Sequence, residues 1–383
     1  MMKIFSVGLL SSLSALAILS TPKIALSQLN LTPICEQLMF GSLAEARKLI
    51  EASSNPNESC DVGDYAFFVL HSVIQQGDVS LVKSLIAKGA DIKAKDSRRN
   101  TALHFAGGSL ELAKLFIDLG LDVNAKNNYN MTPLHGYYGR LTKEVAELLI
   151  AKGADVNART NENSTPLIQA AIPGKLDLGQ LLLDKGADIN ARTNQNFTAL
   201  HYAINRPDFA KLLIDRGAKL NILNDRGLGA IHQPGLSKEV LKLLLNKGVN
   251  ANFKSADGKT PLHHHLRNLE SPELMKILIA KGANVNAKDN LGRTPLHYAM
   301  KESGKLLLAK GANINARDNS GKTPLHTQII AEYYPSLDFI EFLLMKKANV
   351  NIRDQEGKTP LKLALAKGDS RIIQLLKRYG GKV

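Results

Sequence analysis

The stretch Gly282–Ala299 reads GANVNAKDNLGRTPLHYA and contains a helix end, a turn and a helix start, in that order. Gly282 follows the apolar run Leu274–Ile279 and suits a left-handed helix cap, where glycine has no Cβ penalty. Asp289 and Gly292 bracket a tight turn: the carboxylate can accept backbone N–H groups, and glycine supplies positive φ. Thr294 can cap the next helix with its hydroxyl, and Pro295 fits the first helical position, where a missing N–H costs nothing. Leu296 and Ala299 begin the apolar face of that helix.

The pattern recurs. Thr-Pro-Leu-His begins at Thr132, Thr260, Thr294 and Thr323, and Thr-Ala-Leu-His at Thr101 and Thr198. Degenerate copies begin at Thr32, Phe68, Thr165, Gly229 and Thr359, giving eleven units spaced 29 to 36 residues apart. A fixed period of this size signals a stacked repeat architecture. Over residues 32–383 the sequence resembles the ankyrin repeat, through Thr-Pro-Leu-His-x-Ala, a later Gly, an apolar helix and Gly-Ala-Asp. The resemblance implies an all-α ankyrin-repeat solenoid of about eleven helix–turn–helix units with hairpin-like finger loops. An amino-terminal capping unit is expected over residues 28–60, internal repeats over 61–358 and a carboxy-terminal capping unit over 359–383.

Second helices are predicted at Leu81–Ala87, Leu112–Leu119, Val145–Ala151, Gln180–Asp184, Ala210–Ile214, Val240–Leu245, Leu274–Ala280, Gly304–Ala309 and Phe339–Leu344, where apolar residues recur at helical spacing. From each helix-ending glycine (Lys347 in the last such slot) to the next motif start is always twelve residues, so the finger length is held. Asn130, Asn163 and Asn196 take the finger slot of Gly258, Gly292, Gly321 and Gly357, as the best non-glycine choice for positive φ. Arg99 in that slot suggests a different turn. The unit at Gly229 lacks the capping Thr, and Gln233-Pro234-Gly235 interrupts its first helix, so it reads as the weakest.

Residues 1–27 break the pattern. Lys3, the apolar run Ile4–Leu19 and Ala25-Leu26-Ser27 read as a secretory signal peptide cut before Gln28, with an uncleaved anchor as the alternative. The run is shorter than the ~20 residues a membrane span needs. Secreted or periplasmic localisation follows as the expectation. Cys35 and Cys60 are the two cysteines, and export permits a disulfide between them, the alternative being two unpaired thiols.

Eight of the ten histidines (His71, His104, His135, His201, His232, His263, His297, His326) hold the fourth motif position. The resemblance implies local hydrogen bonding there and toward the neighbouring unit. His264 and His265 complete a triple with His263, but adjacent helical residues do not share a face, so one ion cannot take all three. No metal, cofactor or catalytic residue is expected: no nucleophile–base pair, phosphate-cradling loop or Cys/His cluster stands out.

Charge is the informative feature. The chain carries +14, and +12 once Lys3 and Lys23 leave with the signal. The position six before each motif start is Lys95, Lys126, Arg159, Arg192, Lys254, Lys288, Arg317 and Arg353, broken only by Leu223. A second basic residue precedes Thr at Lys259, Arg293, Lys322 and Lys358. The resemblance implies that such finger positions, with the first helices, line a concave face. The competing reading is a merely solvated edge, whose exposed charges contribute little to stability. Phe105, Met131, Phe197, Tyr202 and Tyr298, with Tyr137 and Tyr138 nearby, are candidate partner anchors or else buried between units. The leading expectation is a protein-binding module whose partner carries an acidic patch, inhibited, protected or scaffolded by it. The alternatives are an acidic polymer or envelope surface held by the basic stripe, and an enzyme.

Overall fold

The computed structural model describes residues 31–62, 65–136, 139–266, 272–331 and 336–383. The expected signal segment, Tyr137 and Tyr138 lie outside them. Two compact units divide at Ala218 and Lys219.

In the amino-terminal unit, α1 (Pro33–Phe40) pairs with α2 (Leu43–Ala52), and a hairpin follows, β1 (Ser59–Val62) and β2 (Tyr65–Phe68). Next come α3 (Val69–Gln76) and α4 (Val79–Ala87), then α5 (Ala102–Phe105), continued by a 3-10 turn, and α6 (Leu110–Asp118). A 3-10 turn at Pro133–His135 precedes α7 (Lys143–Ala151); α8 (Pro166–Ala171) precedes α9 (Leu176–Asp184), and α10 (Ala199–Tyr202) precedes α11 (Pro207–Asp215). In the carboxy-terminal unit a 3-10 turn at Ala230–His232 precedes α12 (Lys238–Asn246). Four helix pairs follow: α13 (Pro261–His265) with α14 (Pro272–Ala280), α15 (Pro295–Tyr298) with α16 (Lys301–Ala309), α17 (Pro324–Ile330) with α18 (Leu337–Met345), and α19 (Pro360–Lys367) with α20 (Ser370–Arg378).

Helical repeats dominate and fit an all-α repeat solenoid, with one short hairpin added in the amino-terminal unit. It is antiparallel, with Cys60 opposite Phe67, and both of those side chains are buried. Cross-strand pairing of that kind is what stabilises a two-stranded ribbon. Cys60 is also bonded to Cys35, as the expected disulfide, with Cα atoms 5.5 Å apart.

The second helices begin two to four residues before most of the predicted starts. Two of the missed stretches are polar (Lys143-Glu144, Lys238-Glu239) and give apolar periodicity no signal; others hold an apolar residue, such as Leu110 or Leu337, beside an acidic one. Several of the helices start on a side-chain cap: Ser109 accepts from the Leu112 N–H, Thr142 from Val145, Ser237 from Val240 and Ser336 from Phe339.

The left-handed slots are occupied as predicted by Asn130, Asn163 and Asn196 in the fingers (φ 54, 54 and 58°) and by Lys347 at a helix end (φ 64°). Arg99 overturns the expectation of a different turn: its φ is 61°, and its N–H bonds the Asp96 carbonyl at 2.8 Å. The Asp96 carboxylate accepts from the N–H groups of Arg98 (3.0 Å) and Asn100 (2.7 Å) and from the Asn100 amide (2.8 Å), which fixes the turn whatever the φ > 0 residue is.

The core is made of the apolar faces of the second helices under the short first helices. Two contacts use size complementarity. Gly304 in α16 lies against the buried Phe339 ring of α18, where an added Cβ would come 2.3 Å from Cε2 and Cζ. Gly179 in α9 faces Phe209 of α11 in the same way, at 2.5 and 2.6 Å. The weak unit at Gly229 keeps only a three-residue 3-10 turn before Gln233 turns extended (ψ 140°).

Candidate functional site

Three kinds of bond hold the fingers and first helices in register. The first is a threonine–histidine lock. In His263, Nδ1 accepts from the Thr260 N–H (3.1 Å), so Nε2 carries the proton and donates to the Arg293 carbonyl of the next repeat (3.1 Å). His104 reaches Met131 O (3.0 Å), His135 Ser164 O (3.3 Å), His297 Lys322 O (3.1 Å) and His326 Lys358 O (3.3 Å) in the same way. His232 does so without a threonine, bonding the Gly229 N–H and Phe253 O (2.8 Å). His71 departs from the rule. Phe68 stands in the threonine slot, and neither ring nitrogen meets a partner in hydrogen-bond geometry. Its ring stacks on Phe105 instead, with centroids 4.9 Å apart.

The second is an asparagine ladder that the sequence reading missed. Asn286 donates from Nδ2 to Gly311 O (3.0 Å) and accepts at Oδ1 from the Asn313 N–H (2.8 Å), both in the next repeat. Asn124, Asn157, Asn252 and Asn351 repeat the donor bond to Gly153, Gly186, Gly282 and Gly380. The third is a backbone seam along the fingertips. Asn290 N–H bonds Asp257 O (3.1 Å), Asn319 bonds Leu291 O (2.9 Å) and Gln355 bonds Ser320 O (2.9 Å). In the other unit, Asn161 bonds Tyr129 O and Asn194 bonds Glu162 O.

On this frame the basic residues fall into two rows. In the carboxy-terminal unit Lys254 Nζ donates to Lys288 O (3.1 Å), Lys288 Nζ to Arg317 O (3.3 Å), and Arg317 Nη2 to Arg353 O (2.9 Å). Arg353 ends the row on Gly357 O and Val383 O (2.9 and 3.1 Å). Each cation thus lies over the backbone of the next one. Lys254, Lys288 and Arg317 have no ion pair among the described residues, and all four cations are exposed. Arg159 follows the same rule in the amino-terminal unit, reaching Arg192 O at 3.3 Å.

The inner row is largely neutralised. Lys259 pairs with Asp257 (2.5 Å), Lys358 with Glu356 (2.6 Å) and Arg293 with Asp318 (3.7 Å), leaving Lys322 without an ion pair among the described residues. Asp289, Asp318 and Asp354 serve the turns as expected, each accepting two finger N–H groups. Tyr298 donates to Asp289 Oδ2 (2.6 Å), under Lys259 and Arg293, 5.5 and 5.8 Å from the ring centre.

Of the apolar candidates, Phe105 is buried against His71 and is removed as a surface anchor. Met131, Phe197 and Tyr202 are half-exposed, and the Phe197 and Tyr202 rings lie 5.5 Å apart. The histidine triple is divided among three partners: Arg293 O for His263, Ser255 Oγ for His264 (3.1 Å) and Ile231 O for His265 (2.9 Å). Ser255 also lies 2.6 Å from Asp257 Oδ1, a set of three that resembles a catalytic relay. Its order is wrong for one. Burial raises the Asp257 carboxyl, but bonds from Lys259 and Ser255 outweigh it and hold the group down to about 2. The serine hydroxyl therefore donates to the carboxylate, and His264 Nε2–H donates to the serine, so no base removes the serine proton.

The family described as ankyrin repeats (3 copies) matches residues 70–136, 137–224, 229–318 and 300–383. The chain belongs to the ankyrin-repeat family. None of the curated proteins compared with it matches. Ankyrin repeats generally mediate protein–protein interaction and are typically non-enzymatic. Among the described residues no helix is long and apolar enough to cross a membrane.

The lock makes this ankyrin array acid-sensitive. Burial pushes His104, His135 and His232 down to about 4 from an ordinary 6.5. The unfolded chain then binds more protons than the folded one between those values, so stability is complete above about 6.5 and falls as pH drops toward 4. Thermal unfolding followed from neutral pH to pH ~4.5 should show a steadily falling midpoint; a flat profile would contradict the neutral, Nε2-protonated lock.

Proposed function

We propose that this ankyrin-repeat chain is exported and binds a partner protein through the face made by its fingers and first helices, inhibiting, protecting or scaffolding it. The observation that carries the reading is the exposed row Lys254, Lys288, Arg317 and Arg353, held in register on successive backbones, in which the first three cations have no carboxylate side chain paired to them among the described residues. Lys322 adds to that field, with Lys259, Arg293 and Lys358 as its largely paired inner edge. The complement is an acidic patch on the partner, which such a field steers toward encounter. Met131, Phe197 and Tyr202 supply apolar contact on equivalent positions of the other unit. Secreted or periplasmic export is supported by the apolar leader and by the Cys35–Cys60 bridge, which an oxidising compartment favours.

The test is purification of the native chain from the exported fraction of its own source. The chain is expected to begin at or near Gln28 and to bring down a protein partner that a Phe197→Ala/Tyr202→Ala variant retains less well. A chain that begins at Met1 would remove the export reading, and a variant that holds the partner equally well would remove the aromatic anchors.

A further inference from the structure

The net positive charge of residues 28–383 lies in one half. Residues 28–218 hold 20 Lys and Arg against 21 Asp and Glu, a balance of −1, whereas residues 219–383 hold 27 against 14, a balance of +13. Polymers of any kind gather on such a surface through counterion release, so net charge alone specifies nothing. What adds geometry is the outer row of fingers. Lys254, Lys288, Arg317 and Arg353 are each tied to the backbone of the following rung, and the lysines retain two N–H donors apiece after that bond.

The pitch of the row follows from the fingers. Each finger is a two-armed turn closed by its own bonds, as in Asp289 N–H to Arg293 O and Gly292 N–H to Asp289 O (both 3.0 Å). Neighbouring fingers are joined by direct backbone bonds. The repeat distance is therefore about two strand spacings, roughly 9.5 Å. An extended peptide in the polyproline II conformation has three residues per turn and rises about 3.1 Å per residue, so every third side chain returns on the same face at roughly 9.3 Å.

We infer that the Lys254–Lys288–Arg317–Arg353 row is a docking track for an extended acidic segment of the partner, with a carboxylate at every third residue. This rests on the protein-binding reading and narrows it to a peptide chemistry and to one half of the molecule. Ordering cost is low on the protein side, since the cations are already braced. The contribution of each pair falls with salt, because the row is exposed.

The full-length chain is titrated with two labelled peptides of the same composition by fluorescence anisotropy, at about 0.1 M salt, where the Debye length is about 10 Å. One peptide carries four glutamates at every third position in a Gly/Ser background; the other carries them as one block. The spaced peptide is expected to bind several-fold tighter. Lys254→Gln/Lys288→Gln should weaken it by about tenfold, while Lys242→Gln/Lys276→Gln, which removes two exposed lysines from α12 and α14, should change it less than about twofold. Unchanged thermal unfolding of both variants guards against loss of fold, and each lysine gives up only one backbone bond. Equal binding of the two peptides, equal loss in the two variants, or tighter binding of a single-stranded DNA of equal charge would overturn the track. None of these results would touch the protein-binding reading, which stands or falls on the native co-purification.

Discussion

Gly304→Ala should destabilise the carboxy-terminal unit by about 1–3 kcal/mol, although the same exchange inside a helix ordinarily stabilises by about 0.5–1 kcal/mol. The sign reverses because the new methyl would lie 2.3 Å from two carbons of the fully buried Phe339 ring. Neither helix can withdraw easily: α16 and α18 are held by their neighbours, and the ring is packed on every side. Phe339→Leu in the same background removes the ring edge and should restore part of the loss, giving a favourable coupling in a double-mutant cycle. Denaturant unfolding of the four chains reads the effect. A neutral or stabilising Gly304→Ala would mean that the ring moves aside freely, and the socket argument would fail for Gly179 and Phe209 too.

Cys35→Ser/Cys60→Ser should cost about 3 kcal/mol, from the entropy of the 25-residue loop that the bridge closes. The cost should be local, because repeats in an array are coupled chiefly to their neighbours. Cys35 takes the slot where other repeats place the histidine that reaches forward to the next repeat. The bridge therefore puts a covalent tie inside the first unit where other repeats have that hydrogen bond, at the end of the array where a single neighbour supports the fold. Hydrogen exchange should show faster exchange in α1, α2 and the hairpin of the double variant, with residues 219–383 unchanged. Uniform loss, or none, would show that the bridge does not staple this end.

Helix ends and finger turns were legible in the sequence because local backbone demands dictate them. Gly282, Asn130 and Thr294-Pro295 each satisfy a φ or hydrogen-bond requirement within a few residues. The phase of the basic residues was legible for the same reason, since the finger length is fixed. Where their heads go was not. Lys288 bonds a carbonyl 29 residues on, and Asn286 bonds one 25 residues on. Local rules say nothing about partners in the next repeat. A signal existed, since asparagine recurs four residues after the helix-ending slot at Asn124, Asn157, Asn190, Asn221, Asn252, Asn286, Asn315 and Asn351. The choice between anchor and buried residue at Phe105 was left open because its partner, His71, is a histidine that has lost its threonine. Arg99 misled because its side chain says less about the turn than Asp96 does.

The asparagine seam joins like to like, so it is indifferent to which rung stands next: any repeat that ends in the same glycine can take the bond from Asn252 or from Asn286. Repeat number can therefore change in whole steps through duplication or loss without redrawing the seam, and the finger phase survives each change. The sockets impose an exception. The repeat with Gly304 must be followed by the one with Phe339, and that with Gly179 by the one with Phe209, so these neighbours are inherited as pairs. The array is a string of interchangeable beads in which two couples are keyed to each other, and its evolution in length should spare those couples.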